Sequence, residues 1–162
     1  MSELIKNSNT PIVGPYVPAR LTYGPTLYIS GQIGINPETG KLVSDSVVEQ
    51  AHQVMQNLGA ILGATATHLG FNPEAVSFGN ALKCSIFLTD VDTFGLVNQV
   101  YSEYFPDGNY PARACVGAQI PFPGALVEID MVAEIPEASE KSAISEAHVV
   151  PNIPYVVEPC LG

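Results

Sequence analysis

The sequence predicts an α+β domain in which two amphipathic helices cover one face of a single β-sheet. Three observations carry this. Apolar residues recur with a period of two in some segments and of three to four in others, these segments follow the order ββ, α, β, α, ββ, and turn residues separate them. With 162 residues of which 46% are hydrophobic, one compact domain is expected over 1–135, followed by a C-terminal extension over 136–162.

Residues 1–19, rich in Pro, Asn, Ser and Gly and containing Gly14-Pro15-Tyr16-Val17-Pro18, read as a loop of restricted backbone freedom. Strands are expected around Leu21–Tyr23 and Leu27–Ile33, in a hairpin region punctuated by Gly24-Pro25 and by Asn36-Pro37-Glu38-Thr39-Gly40. Ser46-Val47-Val48-Glu49 has capping-box spacing. Beyond it Ala51, Val54, Leu58, Ile61, Leu62, Thr65 and Leu69 mark one face of a long helix.

From Val76 to Leu88 the even positions are apolar except at Asn80, which predicts a strand. Asp90 and Asp92 suit a helix start, and Phe94, Val97, Tyr101 and Tyr104 or Phe105 give the stripe of a second helix, stopped by Pro106-Asp107-Gly108-Asn109. Two strands, about Ala112–Ile120 and Val127–Ile135, flank Pro121-Phe122-Pro123-Gly124. Helices on one side leave the other side of the sheet needing cover, so oligomerisation is expected. In the extension, a solvated stretch precedes an apolar run, Val149–Val157, expected to lie on the surface or to dock on a neighbouring subunit.

Charge narrows the function classes. Six Lys and Arg against sixteen Asp and Glu give a net charge of −10, and the basic residues are scattered, which opposes binding to a phosphate backbone. The apolar runs fall short of the roughly 18–20 residues a membrane-spanning helix needs. The N-terminal residues lack a basic patch followed by an apolar stretch, so a soluble, cytoplasmic protein is expected. Cys84, Cys115 and Cys160 lack metal-ligand spacing and are expected to be free thiols.

The last two strands are the most informative. In the first, even positions (Ala114, Val116, Ala118, Ile120) are apolar and odd ones include Arg113 and Cys115; in the second, odd positions (Val127, Ile129, Met131, Ala133) are apolar and even ones include Glu128 and Asp130. If the two form a hairpin with aligned core faces, Arg113, Cys115, Glu128 and Asp130 share the other face. On residue type alone, Arg113 could make a salt bridge to Glu128 or Asp130, or hold an anionic ligand. Cys115, two residues from a cation, is a candidate nucleophile, but none of His52, His68 and His148 falls near it in the predicted layout, and His52 and His68 belong to the first helix. Tyr16 either donates its hydroxyl to a ligand or packs its loop.

Gly14-Pro15-Tyr16, Ile29-Ser30-Gly31-Gln32-Ile33, Asn36-Pro37-Glu38-Thr39-Gly40, Phe87-Leu88-Thr89-Asp90 and Pro111-Ala112-Arg113-Ala114-Cys115-Val116 occur in an order that resembles the Rid/YjgF family, and the resemblance runs from about Pro11 to Ile135. It implies a chorismate-mutase-like α+β fold of the bacillus type, with a mixed sheet and two helices on one face, assembled as a homotrimer with ligand clefts between subunits. It also implies hydrolytic deamination of 2-enamine and 2-imino acids, such as 2-aminoacrylate and 2-aminocrotonate, to 2-oxo acids and ammonia. Arg113 would then bind the substrate carboxylate, Glu128 would hold or activate water, and Tyr16, Ser30, Gly31 and Cys115 would line the cleft. Neither metal nor organic cofactor is expected.

The chain departs from the family pattern at Val17-Pro18, in a longer connection between Gly70 and Lys83, and in the extension after Ile135. Competing readings are a non-catalytic regulator that binds a small carboxylate or 2-oxo acid, an endoribonuclease or translation inhibitor, which the charge opposes, and a structural or chaperone-like trimer.

Overall fold

A computed structural model describes residues 2–5, 14–105 and 108–137. Strands β1 (Ser2–Ile5) and β2 (Ala19–Thr22) form an antiparallel pair, β3 is Thr26–Ile33, and β4 (Ile35–Asn36) and β5 (Lys41–Leu42) close a small hairpin. Helix α1 (Val47–His68) precedes β6 (Ala81–Leu88), helix α2 (Phe94–Glu103) precedes β7 (Ala112–Gly117), and β8 (Val127–Glu134) follows β7.

The central sheet has the order β3-β8-β6-β7. Strand β8 is antiparallel to both β3 and β6, whereas β6 and β7 run parallel, as strands joined by a helical crossover can. Both helices lie on one face. Ala51, Val54, Met55, Leu58, Leu62 and Ala66 of α1 and Val97, Val100 and Tyr101 of α2 are buried against Cys84, Ile86, Leu88, Val127, Ile129, Met131 and Ala133 of the sheet. This is the α+β arrangement, with a mixed sheet, that the sequence predicts.

Local chemistry explains the boundaries. Ser46 stays extended at the start of α1, and its hydroxyl accepts from the Glu49 amide at 3.5 Å. Before α2, a 3-10 turn (Val91–Thr93) is capped by the Asp90 carboxylate, which accepts from the Asp92 amide at 3.0 Å. The fully buried Gln50 ties three loops together: its Nε2 donates to the carbonyls of Ser44 (2.8 Å) and Gly124 (2.9 Å), and its Oε1 accepts from the Leu126 amide (2.8 Å).

Four expectations are corrected. Ser2–Ile5 is a strand rather than loop, and it, not β3, pairs with β2; the hairpin of this region is β4–β5, around the Asn36–Gly40 turn. The strand expected from Val76 begins only at Ala81, after two 3-10 turns, and Asn80 caps the second by accepting from the Ser77 amide at 2.9 Å. Most important, β7 and β8 do not form a hairpin, because β6 lies between them. Their opposite parities therefore do not put Arg113 and Glu128 on a common face.

Register settles the faces. Arg113, Cys84 and Met131 form one cross-strand row and Cys115, Ile86 and Ile129 the next, so Arg113 and Cys115 face the helices. Glu128 aligns with Phe87 and Val116 and belongs to the opposite, open face. That face exposes Tyr28 (77%), Ala114 and Val116 (50%). The apolar alternation of β7 thus marks the open face, and the polar alternation marks the helix-side rim of an edge strand. Within the described residues no helix is long and apolar enough to cross a membrane. Residues 138–162, most of the expected extension, and Pro106-Asp107 of the expected helix stop lie outside the described residues.

Candidate active site

The edge position of β7 brings Arg113 against one face of α2. Its Nη1 donates to Asn98 Oδ1 at 2.8 Å. Its Cζ lies 5.1 Å from the ring centre of Tyr101, 5.7 Å from that of Phe94 and 6.0 Å from that of Tyr16, all within cation–π range. Phe94, Asn98 and Tyr101 are spaced four and three residues apart, the spacing that stacks side chains on one helix face.

Gly14 closes the rim of this cup. A β-carbon there would stand 3.3 Å from Arg113 Nη2 and 3.4 Å from the Tyr16 ring. The segment is pinned by a tight turn, Tyr16 N–H to Gly14 O at 2.9 Å, and by Val17 N–H to Pro111 O at 3.2 Å. Arg20 secures the loop before β7: it donates to the carbonyls of Tyr110 and Asn109, each at 3.3 Å, and to the Asn109 side-chain oxygen. Arg20 is thereby committed to structure. Among the described residues no carboxylate pairs with Arg113, so the salt bridge to Glu128 or Asp130 does not form; Asp130 instead accepts from the Ser85 amide at 2.9 Å.

Beneath Arg113 lie two groups whose ionisation is suppressed. Burial pushes the Cys84 thiol up to about 12, and burial beside Cys84 likewise raises the Tyr101 phenol. These two side chains influence each other, but the Tyr101 hydroxyl makes no hydrogen bond of ordinary geometry among the described residues. Cys115 is half-buried, and burial raises its thiol too, against a smaller opposing effect of Arg113. The cation does not produce a ready thiolate, which argues against the nucleophile reading.

A second group forms where β3 bulges between Ile29 and Gln32. Ser30 and Gly31 are exposed there, and Gln32 Nε2 folds back to the carbonyls of Ser30 (3.1 Å) and Gly31 (3.3 Å). Glu128 lies directly against Gly31: a β-carbon on Gly31 would sit 2.7 Å from its Cδ and 3.0 Å from its Cγ. Bulges are used beside active sites to re-aim side chains.

The six residues expected to form the site thus fall into two groups, Tyr16, Arg113 and Cys115 in one and Ser30, Gly31 and Glu128 in the other. Two strand spacings and three residue rises put the α-carbons of Arg113 and Glu128 about 14 Å apart within one chain, with side chains on opposite faces. Two open clefts, of about 680 Å³ at Thr89, Gly117–Ile120 and Phe122–Leu126 and of about 410 Å³ at Gly31–Ile33 and α1, are lined by neither residue. Sequence reasoning missed Gly14, Phe94, Asn98 and Tyr101 as partners of Arg113. Asn98 carried a signal, being a polar residue set into the apolar stripe of α2.

Comparison with known proteins places this architecture. The chain matches the family model described as Endoribonuclease L-PSP over residues 7–135. It is 40% identical over 121 residues to the human 2-iminobutanoate/2-iminopropanoate deaminase, covering 75% of this chain and 80% of that protein. It is 39% identical over 124 residues to AldR of Lactococcus lactis, whose name describes a regulator, covering 76% and 89%. Among solved structures, RidA from an Antarctic Psychrobacter is 34% identical with a TM-score of 0.60 over 82% of this chain and 99% of that one. YyfA from Yersinia pestis, titled a Rid family protein of unknown function, is 35% identical with a TM-score of 0.60 over 83% and 100%. The chain belongs to the Rid/YjgF family. Its fold is that family's α+β fold, the chorismate-mutase-like arrangement its motifs imply.

Proposed function

We propose that the protein hydrolyses 2-imino acids, in equilibrium with their enamine tautomers, to 2-oxo acids and ammonia. The observation that carries this reading is the Arg113 guanidinium, held on three aromatic rings and one amide oxygen, with no carboxylate paired to it among the described residues. A planar fork of this kind matches a substrate carboxylate through two charge-assisted hydrogen bonds. The names of the deaminase relatives support the same chemistry.

Arg113 orients the imine carbon. Water held by Glu128 attacks that carbon, the carboxylate relays a proton to the nitrogen, and the tetrahedral adduct collapses to the ketone with loss of ammonia. The reaction consumes only water, and unaided hydrolysis is already facile, so positioning supplies most of the required acceleration.

Arg113 and Glu128 lie too far apart in one chain to act together, so the reading requires two copies to complete each site. A cyclic trimer does this, with Tyr16, Arg113 and Cys115 of one subunit facing Ser30, Gly31 and Glu128 of its neighbour, and with the open face carrying Tyr28, Ala114 and Val116 covered. The test is an assay in which a serine/threonine dehydratase generates the imine and 2-oxo acid release is followed. Arg113→Ala forfeits two charge-assisted hydrogen bonds, about 3–6 kcal/mol, which corresponds to roughly 10²–10⁴ in kcat/KM. Mixing Arg113→Ala with Glu128→Gln subunits restores about one quarter of the sites if the two residues act across an interface. No recovery in verified mixed trimers rules out the shared site.

AldR favours a second reading, in which the same cup senses a small carboxylate without turnover; wild-type protein that binds 2-oxobutanoate but does not accelerate imine hydrolysis would establish it. The endoribonuclease description of the family model finds little support in a chain of charge −10 whose Arg20 is engaged in structure and whose Arg113 sits in an aromatic cup.

A further inference from the structure

Among the described residues, the hydrogen-bonded partner of Arg113 is an amide rather than a carboxylate. An arginine at a sheet edge is commonly held by Asp or Glu, which fixes its position and cancels its charge together. Here Nη1 is fixed by the neutral Oδ1 of Asn98 at 2.8 Å, and the remaining contacts are to the rings of Tyr16, Phe94 and Tyr101. The nearby thiol and phenol, Cys84 and Tyr101, are held in their neutral forms by burial. Asp130, the closest carboxylate by strand register, is turned to the other face and bound to the Ser85 amide at 2.9 Å. Every neighbour that the structure gives Arg113 thus orients the guanidinium while leaving its positive charge uncompensated.

We infer that Asn98 is a positioning and charge-selecting residue of the carboxylate site: it fixes the fork of Arg113 from α2 with an acceptor that does not compete for its charge. This rests on the reading that Arg113 binds the substrate carboxylate. The geometry of α2 makes the role specific. Phe94 and Tyr101 support the guanidinium from the same helical stripe, and the side chain at position 98 supplies the hydrogen bond to Nη1. The backbone carbonyl of Asn98, distinct from the side-chain oxygen that meets Arg113, accepts from Ser102 Oγ at 2.7 Å within the helix.

Asn98→Asp and Asn98→Ala separate this role from a structural one. Aspartate is nearly isosteric, keeps the acceptor and adds an ion pair, so a purely structural role ranks it closer to wild type than alanine. Under the inference the rank inverts. The introduced carboxylate lies across the guanidinium from the ligand's carboxylate and weakens binding of 2-oxobutanoate by about 10–100-fold, an effect that added salt reduces, while Asn98→Ala costs less than about ten-fold through lost orientation. The Asn98→Asp protein also melts at or above the wild-type temperature because its new pair is satisfied.

The experiment is calorimetric titration of the assembled wild-type, Asn98→Asp and Asn98→Ala proteins with 2-oxobutanoate at low and high salt, with melting temperatures in parallel. Aspartate binding more weakly than alanine, in a protein at least as stable as wild type, is the expected result. Aspartate binding as well as wild type, or better than alanine, overturns the role of Asn98 and leaves the carboxylate reading of Arg113 standing. Absence of wild-type binding removes that reading and this inference together.

Discussion

Gly31→Ala is the sharpest perturbation of the proposed catalytic arrangement, because a single methyl group tests where Glu128 must be. Gly31 does not adopt a left-handed conformation, so alanine is tolerated by the backbone and the effect is steric. The added β-carbon meets Glu128 Cδ at 2.7 Å and Cγ at 3.0 Å, whereas carbon atoms in ordinary contact stand about 3.5–4.0 Å apart. Restoring contact moves the carboxylate by about 1 Å. Glu128 is half-buried and Gly31 exposed, so the side chain can swing; an off-rotamer arrangement costs about 0.5–1.5 kcal/mol of stability. If Glu128 holds the attacking water as proposed, a displacement of that size costs on the order of 10²-fold in kcat. The dehydratase-coupled assay reads kcat, and a thermal melt checks that the fold loses only a few degrees. Combining Gly31→Ala with Glu128→Asp, which draws the carboxyl back by one methylene, gives a loss smaller than the product of the two single losses. A folded, assembled Gly31→Ala protein with wild-type kcat would refute the placement of Glu128 at the reacting atoms.

Two further predictions follow from the interior. Gln50→Leu strands the Ser44 and Gly124 carbonyls and the Leu126 amide at once and lowers stability by about 3 kcal/mol in urea denaturation; a change below about 0.5 kcal/mol would contradict the role of this knot. The Cys84 thiol, raised to about 12 in the fold from an ordinary value near 9, makes the folded chain retain a proton that the unfolded chain releases. Its contribution is full below pH 9 and declines towards pH 12 by about 1.4 kcal/mol per pH unit. Cys84→Ala should flatten that alkaline decline in pH-dependent denaturation.

The elements were legible because their signals are local. Ser46 and Asp90 announce the helix starts, the stripes of α1 and α2 are continuous, and β6 and β8 alternate without ambiguity from Cys84 to Leu88 and from Val127 to Ala133. Pairing was not legible, because it depends on which strand intervenes. Strand β7 is apolar on the side away from the helices and polar on the side beneath α2, so its alternation gives two faces without saying which is covered. Arg113 and Glu128 stood out through motif resemblance, and their separation became visible only through the register of β6 between them. Asn98 was overlooked because one polar residue on a helix stripe has no meaning until the side chain opposite it is known.

The strand order also sets a sequence of events in synthesis. Strand β8 is the last strand among the described residues and lies between β3 and β6, which do not pair with each other. Until Val127–Glu134 has left the ribosome, the central sheet can form only its parallel β6–β7 pair, and β3 has no neighbour within that sheet. Chains interrupted before residue 127 therefore leave exposed the part of the apolar side of α1 that Val127, Ile129, Met131 and Ala133 cover, and are expected to be substrates for proteolysis rather than partly active protein. Glu128 arrives on the strand that completes the sheet, so an incompletely made chain does not present the carboxylate proposed to hold water in a half-built setting.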